Sequence, residues 1–95
     1  MTDLLYRQQD DVVIRRIAGE TLLIPIRQHL ADLQRVFVLN ETGVVIWESL
    51  DGRTPISHIA RRLQEKFEVP EAEAEADVQA FCRELNAAGL LAPVP

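Results

Sequence analysis

The sequence predicts an α+β fold, a three-stranded antiparallel sheet followed by three helices. Three observations predict it. Short β-branched and apolar runs, punctuated by Gly19-Glu20 and Pro25, fill the stretch before Asn40. From Asn40 onward, apolar residues recur three and four positions apart, the period of a helix buried along one face. A length of 95 residues, 47% hydrophobic and 26% charged, suffices for one core and not two. Such a chain buries roughly 60–65% of its unfolded surface, which leaves little room for a deep enclosed active site. The expectation is one domain over residues 1–95, with loosely ordered tails at 1–10 and 92–95.

Residues 1–10 are polar apart from Leu4, Leu5 and Tyr6, and read as a tail. Residues 12–18 (VVIRRIA) are β-branched and read as the first strand. Gly19-Glu20 is the expected turn, because glycine takes positive φ at the first position of a tight turn. Residues 21–26 (TLLIPI) return as the second strand. Pro25 has no N–H, so the ladder must break or lie at an edge there. Residues 27–35 (RQHLADLQR) lead to the third strand; Leu30 and Leu33 fit one helical turn, and a loop fits equally well. Residues 36–39 (VFVL) form that strand, kept short because a helix follows at once.

Asn40 is a favoured N-cap. Gly43, Ile46, Trp47 and Leu50 then share one helical face, Val44 and Val45 widen it, and Asp51-Gly52 stops the helix. Thr54-Pro55 is read as the cap and first turn of a second helix. Its apolar stripe is Ile56, Ile59, Ala60, Leu63 and Phe67, and Val69-Pro70 breaks it. The third helix spans 71–88, with Gly89 as its left-handed cap. Ala74, Val78, Phe81, Cys82, Leu85 and Ala88 make its buried stripe, and Leu90 and Leu91 fold back on the core before Pro93 ends ordered structure. Three strands cannot bury themselves alone, so they pack on the helices in a winged helix-turn-helix-like arrangement.

Several function classes lose support at this point. The net charge of −5 opposes a nucleic-acid partner, since phosphate contacts need a basic face. No basic-then-apolar N-terminus marks a signal peptide, and no apolar run approaches the roughly 20 residues of a membrane helix. A cytoplasmic protein with no membrane partner is expected. The single cysteine, Cys82, allows no internal disulfide and sits in an apolar stripe, where thiols are inert. His29 and His58 lack ligand spacing, so no metal site is expected. Glu71, Glu73 and Glu75 alternate and do not converge on one helical face; they complement the helix dipole instead. No glycine-rich phosphate loop and no nucleophile–base arrangement occurs, so neither catalysis nor a cofactor is expected.

The third strand remains unexplained. VFVL is apolar at successive positions, where a sheet with one solvated face should alternate. Edge strands are normally blunted by charge, proline or bulges. Either helices cover both faces, or the open edge accepts another chain by strand addition.

Several phrases taken together resemble the PqqD family of peptide-recognition proteins: GETLLIPI (19–26), VLNETGVVIWESLDG (38–52), IARRL (59–63) and the DVQAFCREL…GLL ending (77–91). The resemblance implies a winged helix-turn-helix-like fold that binds the leader of a ribosomally made precursor peptide. It also implies presentation of that peptide to a modifying enzyme, often a radical S-adenosylmethionine enzyme, in natural-product or pyrroloquinoline quinone-like cofactor biosynthesis. The leader would add beside the third strand, in a groove shared with the third helix. Carried onto this chain, the site comprises Arg35, Val36, Phe37 and Val38 on the strand and Asp77, Val78, Phe81, Cys82 and Leu85 on the helix. Residues 27–34 read as an insertion relative to the common family pattern. Two other readings stay open. One is a winged-helix DNA binder using Arg61, Arg62 and Lys66. The other is an oligomerisation module in which two copies pair through the third strand, so both monomer and dimer fit the sequence.

Overall fold

The computed structural model describes residues 5–26 and 36–94. Among these described residues, five strands and three helices follow in the order β1 (Tyr6–Gln8), β2 (Val12–Ile17), β3 (Glu20–Pro25), β4 (Phe37–Leu39), α1 (Glu41–Ser49), α2 (Ile56–Phe67), α3 (Glu71–Ala87) and β5 (Leu91–Pro93). The expected three-stranded sheet is β2-β3-β4, antiparallel throughout, with β4 at one end. The predicted first, second and third strands are therefore β2, β3 and β4. The segment carrying Leu30 and Leu33 lies outside the described residues.

The sheet has one packed face. Register places Thr21 opposite Leu39 and Leu23 opposite Phe37, with Leu22 opposite Val38 between them. Thr21, Leu23 and Leu39 are buried, so their face meets the helices, and the alternate positions turn away. Leu23 joins Ile46, Trp47, Ile59, Leu63, Val78 and Cys82 in one core cluster. Ile14, Ile17, Ile26, Val36 and Val38 are exposed large hydrophobics, and all lie in or beside this sheet.

The hairpin turn sits one residue earlier than the sequence suggests. Ile17 pairs with Glu20, so the loop is Ala18-Gly19, with φ of +54° and +82°. Two positive φ values give a type I′ turn, whose hand suits the strand twist and which favours Asn-Gly. Alanine in this region costs about 1 kcal/mol through Cβ–carbonyl crowding. Ala18→Asn is therefore expected to stabilise the domain by roughly 0.5–1 kcal/mol, read as a higher urea midpoint at unchanged slope.

The supposed tails form a second sheet. β1 pairs antiparallel with β5, Tyr6 opposite Pro93 and Gln8 opposite Leu91. Beyond that ladder, Val94 N–H donates to Leu5 O (2.9 Å), Gly52 N–H to Tyr6 O (2.9 Å) and Gln9 N–H to Leu90 O (3.0 Å). The Gln8 side-chain amide reaches the Trp47 carbonyl at 2.7 Å. Polar composition misleads here because these residues satisfy backbone groups at the end of the core, while Tyr6 alone inserts.

Helix ends follow local chemistry. The Asn40 side chain accepts from Gly43 N–H at 2.8 Å and caps α1. Gly43 fits closely beside it: an added Cβ would sit 3.2 Å from Asn40 Oδ1 and 3.4 Å from Leu39 Cβ, so the cap would have to give by a few tenths of an ångström. The N-cap of α2 is Pro55 rather than Thr54, and it makes no side-chain cap bond. Asp51 organises the entry instead: its carboxylate accepts from the Arg53 and Thr54 N–H groups at 2.8 and 2.9 Å. These bonds, Arg53 first, hold the Asp51 carboxyl below its ordinary value, so their support is lost as acid protonates it. Gly89 (φ +84°) ends α3 as expected, with Leu90 N–H returning to Leu85 O at 2.9 Å. None of the described helices is long and apolar enough to cross a membrane.

Candidate functional site

Because β4 is the last strand of its sheet, the edge away from β3 has no neighbouring strand among the described residues. An open trough of about 1270 Å³ is lined in part by this strand. Phe37, Val38, Leu39 and Asn40 line one side, the start of α1 continues it, and Asp77, Ala80, Phe81, Glu84 and Leu85 of α3 form the opposite wall. The β2–β3 turn and Lys66-Phe67 at the end of α2 complete it. Small-molecule sites typically hold roughly 300–1,000 Å³ and enclose their ligand. This trough is larger, open and bordered by a strand edge, which suits an extended chain.

The wall residues of α3 share one face: 77, 80, 81, 84 and 85 are spaced by three and four. The core stripe of the same helix is Ala74, Val78, Cys82 and Leu85. One residue of rotation, about 100°, separates the two faces. Three of the groove residues therefore immediately precede a core residue: Asp77 before Val78, Phe81 before Cys82, Glu84 before Leu85.

This geometry sorts the sequence-derived site. Arg35 lies outside the described residues. Val36, exposed, leads into β4, while Phe37 packs partly on the core from the helix-facing side. Val38 borders the trough, but its side chain shares the outer face with Leu22 and is 59% exposed. Asp77 stands exposed on the rim and Phe81 is half-buried in the wall. Leu85, 2% exposed, underlies the wall. Val78 and Cys82 are corrections: at 0% and 1% exposure they belong to the core and do not line the trough. Ala80 and Glu84 were missed, although counting three and seven positions on from Asp77 would have reached them.

Cys82, the single thiol, lies in the core and outside the trough lining. Burial pushes the Cys82 thiol up to about 11 from 9.0. At pH 8 its thiolate population is then roughly a hundredfold below that of an ordinary cysteine. A disulfide reagent such as 5,5′-dithiobis(2-nitrobenzoate) is expected to label Cys82 only upon unfolding; rapid stoichiometric labelling of the native protein would contradict this. Among the described residues, no three histidine, cysteine or acidic side chains are grouped to hold a metal.

The family profile described as "Coenzyme PQQ synthesis protein D (PqqD)" matches residues 20–91. The chain belongs to the PqqD family. The matched region runs from the start of β3 to the first residue of β5, and so contains every wall of the trough on β4, α1 and α3. It leaves out β1 and β2. The chain is also 33% identical over 75 residues to the "PqqA binding protein" of Rhizobium meliloti (strain 1021), covering 79% of this chain and 69% of that protein.

Solved structures give the same fold for this PqqD-family chain. The PqqD truncation of Methylobacterium extorquens PqqCD, described as a functional and stand-alone recognition element for ribosomally made, post-translationally modified peptides, superposes with a TM-score of 0.69. It shares 26% identity and covers 93% of this chain and 88% of its own. TbiB1 in complex with the TbiA(beta) leader peptide gives a TM-score of 0.70 at 25% identity, covering 90% and 93%. Lasso peptide synthetase B1, complexed with its leader peptide, gives 0.75 at 20% identity, covering 93% and 98%, a likeness of fold.

Proposed function

We propose that this chain binds the leader segment of a ribosomally made precursor peptide by adding it as a strand beside β4, and presents that peptide to a modifying enzyme. One observation carries the reading: a terminal strand borders a long open trough whose far wall is the Asp77–Glu84 face of α3. A segment in the trough would gain main-chain hydrogen bonds from β4 and seat alternate side chains against Phe37 and Phe81. Family membership supports it, as do relatives described as binding PqqA or as complexed with leader peptides. The chain acts without chemistry of its own. Modification belongs to the partner enzyme, radical S-adenosylmethionine enzymes being one class the family implies.

The DNA-binding alternative rests on Arg61, Arg62 and Lys66 of α2 and loses ground on its packed neighbour, α3. It presents Glu71, Glu73, Asp77 and Glu84 to solvent. Fluorescence anisotropy with a synthetic leader from the precursor encoded beside this chain should give a Kd in the micromolar range or tighter, about −8 kcal/mol. Absence of leader binding together with salt-sensitive binding of duplex DNA would overturn the proposal.

A further inference from the structure

The walls of the trough are mostly of one sign. Glu20 at the hairpin, Glu41 and Glu48 on α1, and Asp77 and Glu84 on α3 line it, against Arg16 and Lys66. All of these are exposed, so their charges reach the trough while hydrated. The deeper lining is apolar, with Leu39 and Leu85 buried and Phe37 and Phe81 half-buried. Along α3, Asp77 lies one turn before Phe81 and Glu84 nearly one turn after it. Seven residues of helix span about 10 Å, close to three residues of extended chain. A strand laid against this wall would meet carboxylate, aromatic ring and carboxylate in sequence.

Resting on the leader-binding reading above, we propose that the trough selects a basic-apolar leader: an apolar residue seated at Phe81, flanked within about two positions on either side by Lys or Arg. The apolar contact supplies most of the affinity, and the acidic rim supplies discrimination and speeds encounter. Exposed pairs of this kind are individually weak, so the pair of flanking cations should change affinity about three- to tenfold. The preference should fade with salt, since charges are screened over about 8 Å at physiological ionic strength.

A phage-displayed library of random 12-residue peptides, panned on the wild type and on an Asp77→Lys/Glu84→Lys double variant, tests this. Circular dichroism and thermal melting of the variant check that it folds. The wild type is expected to enrich Lys and Arg around a central apolar residue. Synthetic copies should bind it three- to tenfold tighter than they bind the double variant, and peptide Lys→Glu changes should reverse that order. Selected peptides that perturb β4 amides without basic enrichment, or that bind both proteins equally, overturn the charge selection and leave leader binding standing. Selected peptides that leave β4 untouched, or no selection at all, count against both.

Discussion

Phe81→Ala is expected to weaken leader binding by about 30-fold or more while the domain remains folded. Phe81 is the largest apolar side chain that α3 contributes to the trough, and it sits centrally in that wall. Aromatic residues in such positions commonly carry at least ~2 kcal/mol of binding, or roughly 30-fold. It is only half-buried and packs against the core without belonging to it, so its loss should cost ~1–2 kcal/mol of stability, well below a full core truncation. Ile14→Ala serves as the control, because Ile14 is exposed on β2, the sheet edge opposite β4, and does not line the trough. It should leave affinity within about twofold, as expected of a non-interface surface residue. Isothermal titration calorimetry on the three proteins checks both statements. Equal affinities for wild type and Phe81→Ala would remove the trough from the account.

Deleting residues 1–9 should lower stability by ~2–4 kcal/mol, which for a domain of this size means a fall of roughly 10–20 °C in Tm. The loss has identifiable parts. Tyr6 leaves a buried site, the β1–β5 ladder is broken, the Leu90 carbonyl and the Gly52 N–H lose their partners, and the Trp47 carbonyl keeps only the Leu50 N–H. Burial of one aromatic contributes ~1.5–3 kcal/mol and each hydrogen bond about 1, offset by the entropy of ordering a short segment. Differential scanning calorimetry of the truncated protein measures the result. An unchanged Tm would mean that the segment is a dispensable tail, as its polar composition suggests.

Much of the fold was legible because periodicity and capping agree. Asn40 before an apolar helical face and Gly89 after the third stripe each have a local physical cause and appear where expected, and the glycine turn of the hairpin lies one residue from its expected place. The failures were of two kinds. Capping near Thr54 went wrong because α2 is entered from Pro55, and the approach to it is organised by Asp51, whose carboxylate accepts from the Arg53 and Thr54 N–H groups. The β1–β5 pairing went wrong because it joins residues far apart in the chain, Tyr6 with Pro93, and because Tyr6 is the one buried side chain among the described residues before Val12. Nothing local marks such a contact.

The candidate site was legible at the level of elements and blurred at the level of faces. The apolar edge strand pointed to β4 directly. Along it, pleat alternation turns Val38 outward and Phe37 inward, which needs the register with Leu22 and Leu23. On α3 a stripe containing both Phe81 and Cys82 spans two adjacent faces. Only the packed structure separates Phe81, in the trough, from Cys82, in the core.

Strand addition beside β4 is the central claim, and isotope-filtered NMR of the complex tests it most directly. With 15N,13C-labelled protein and unlabelled leader, the account predicts intermolecular backbone nuclear Overhauser effects between consecutive leader residues and residues 37–39, with side-chain contacts to Phe81. Contacts confined to α2 or to the outer face around Leu22 and Val38, with none between leader backbone and β4, would contradict it.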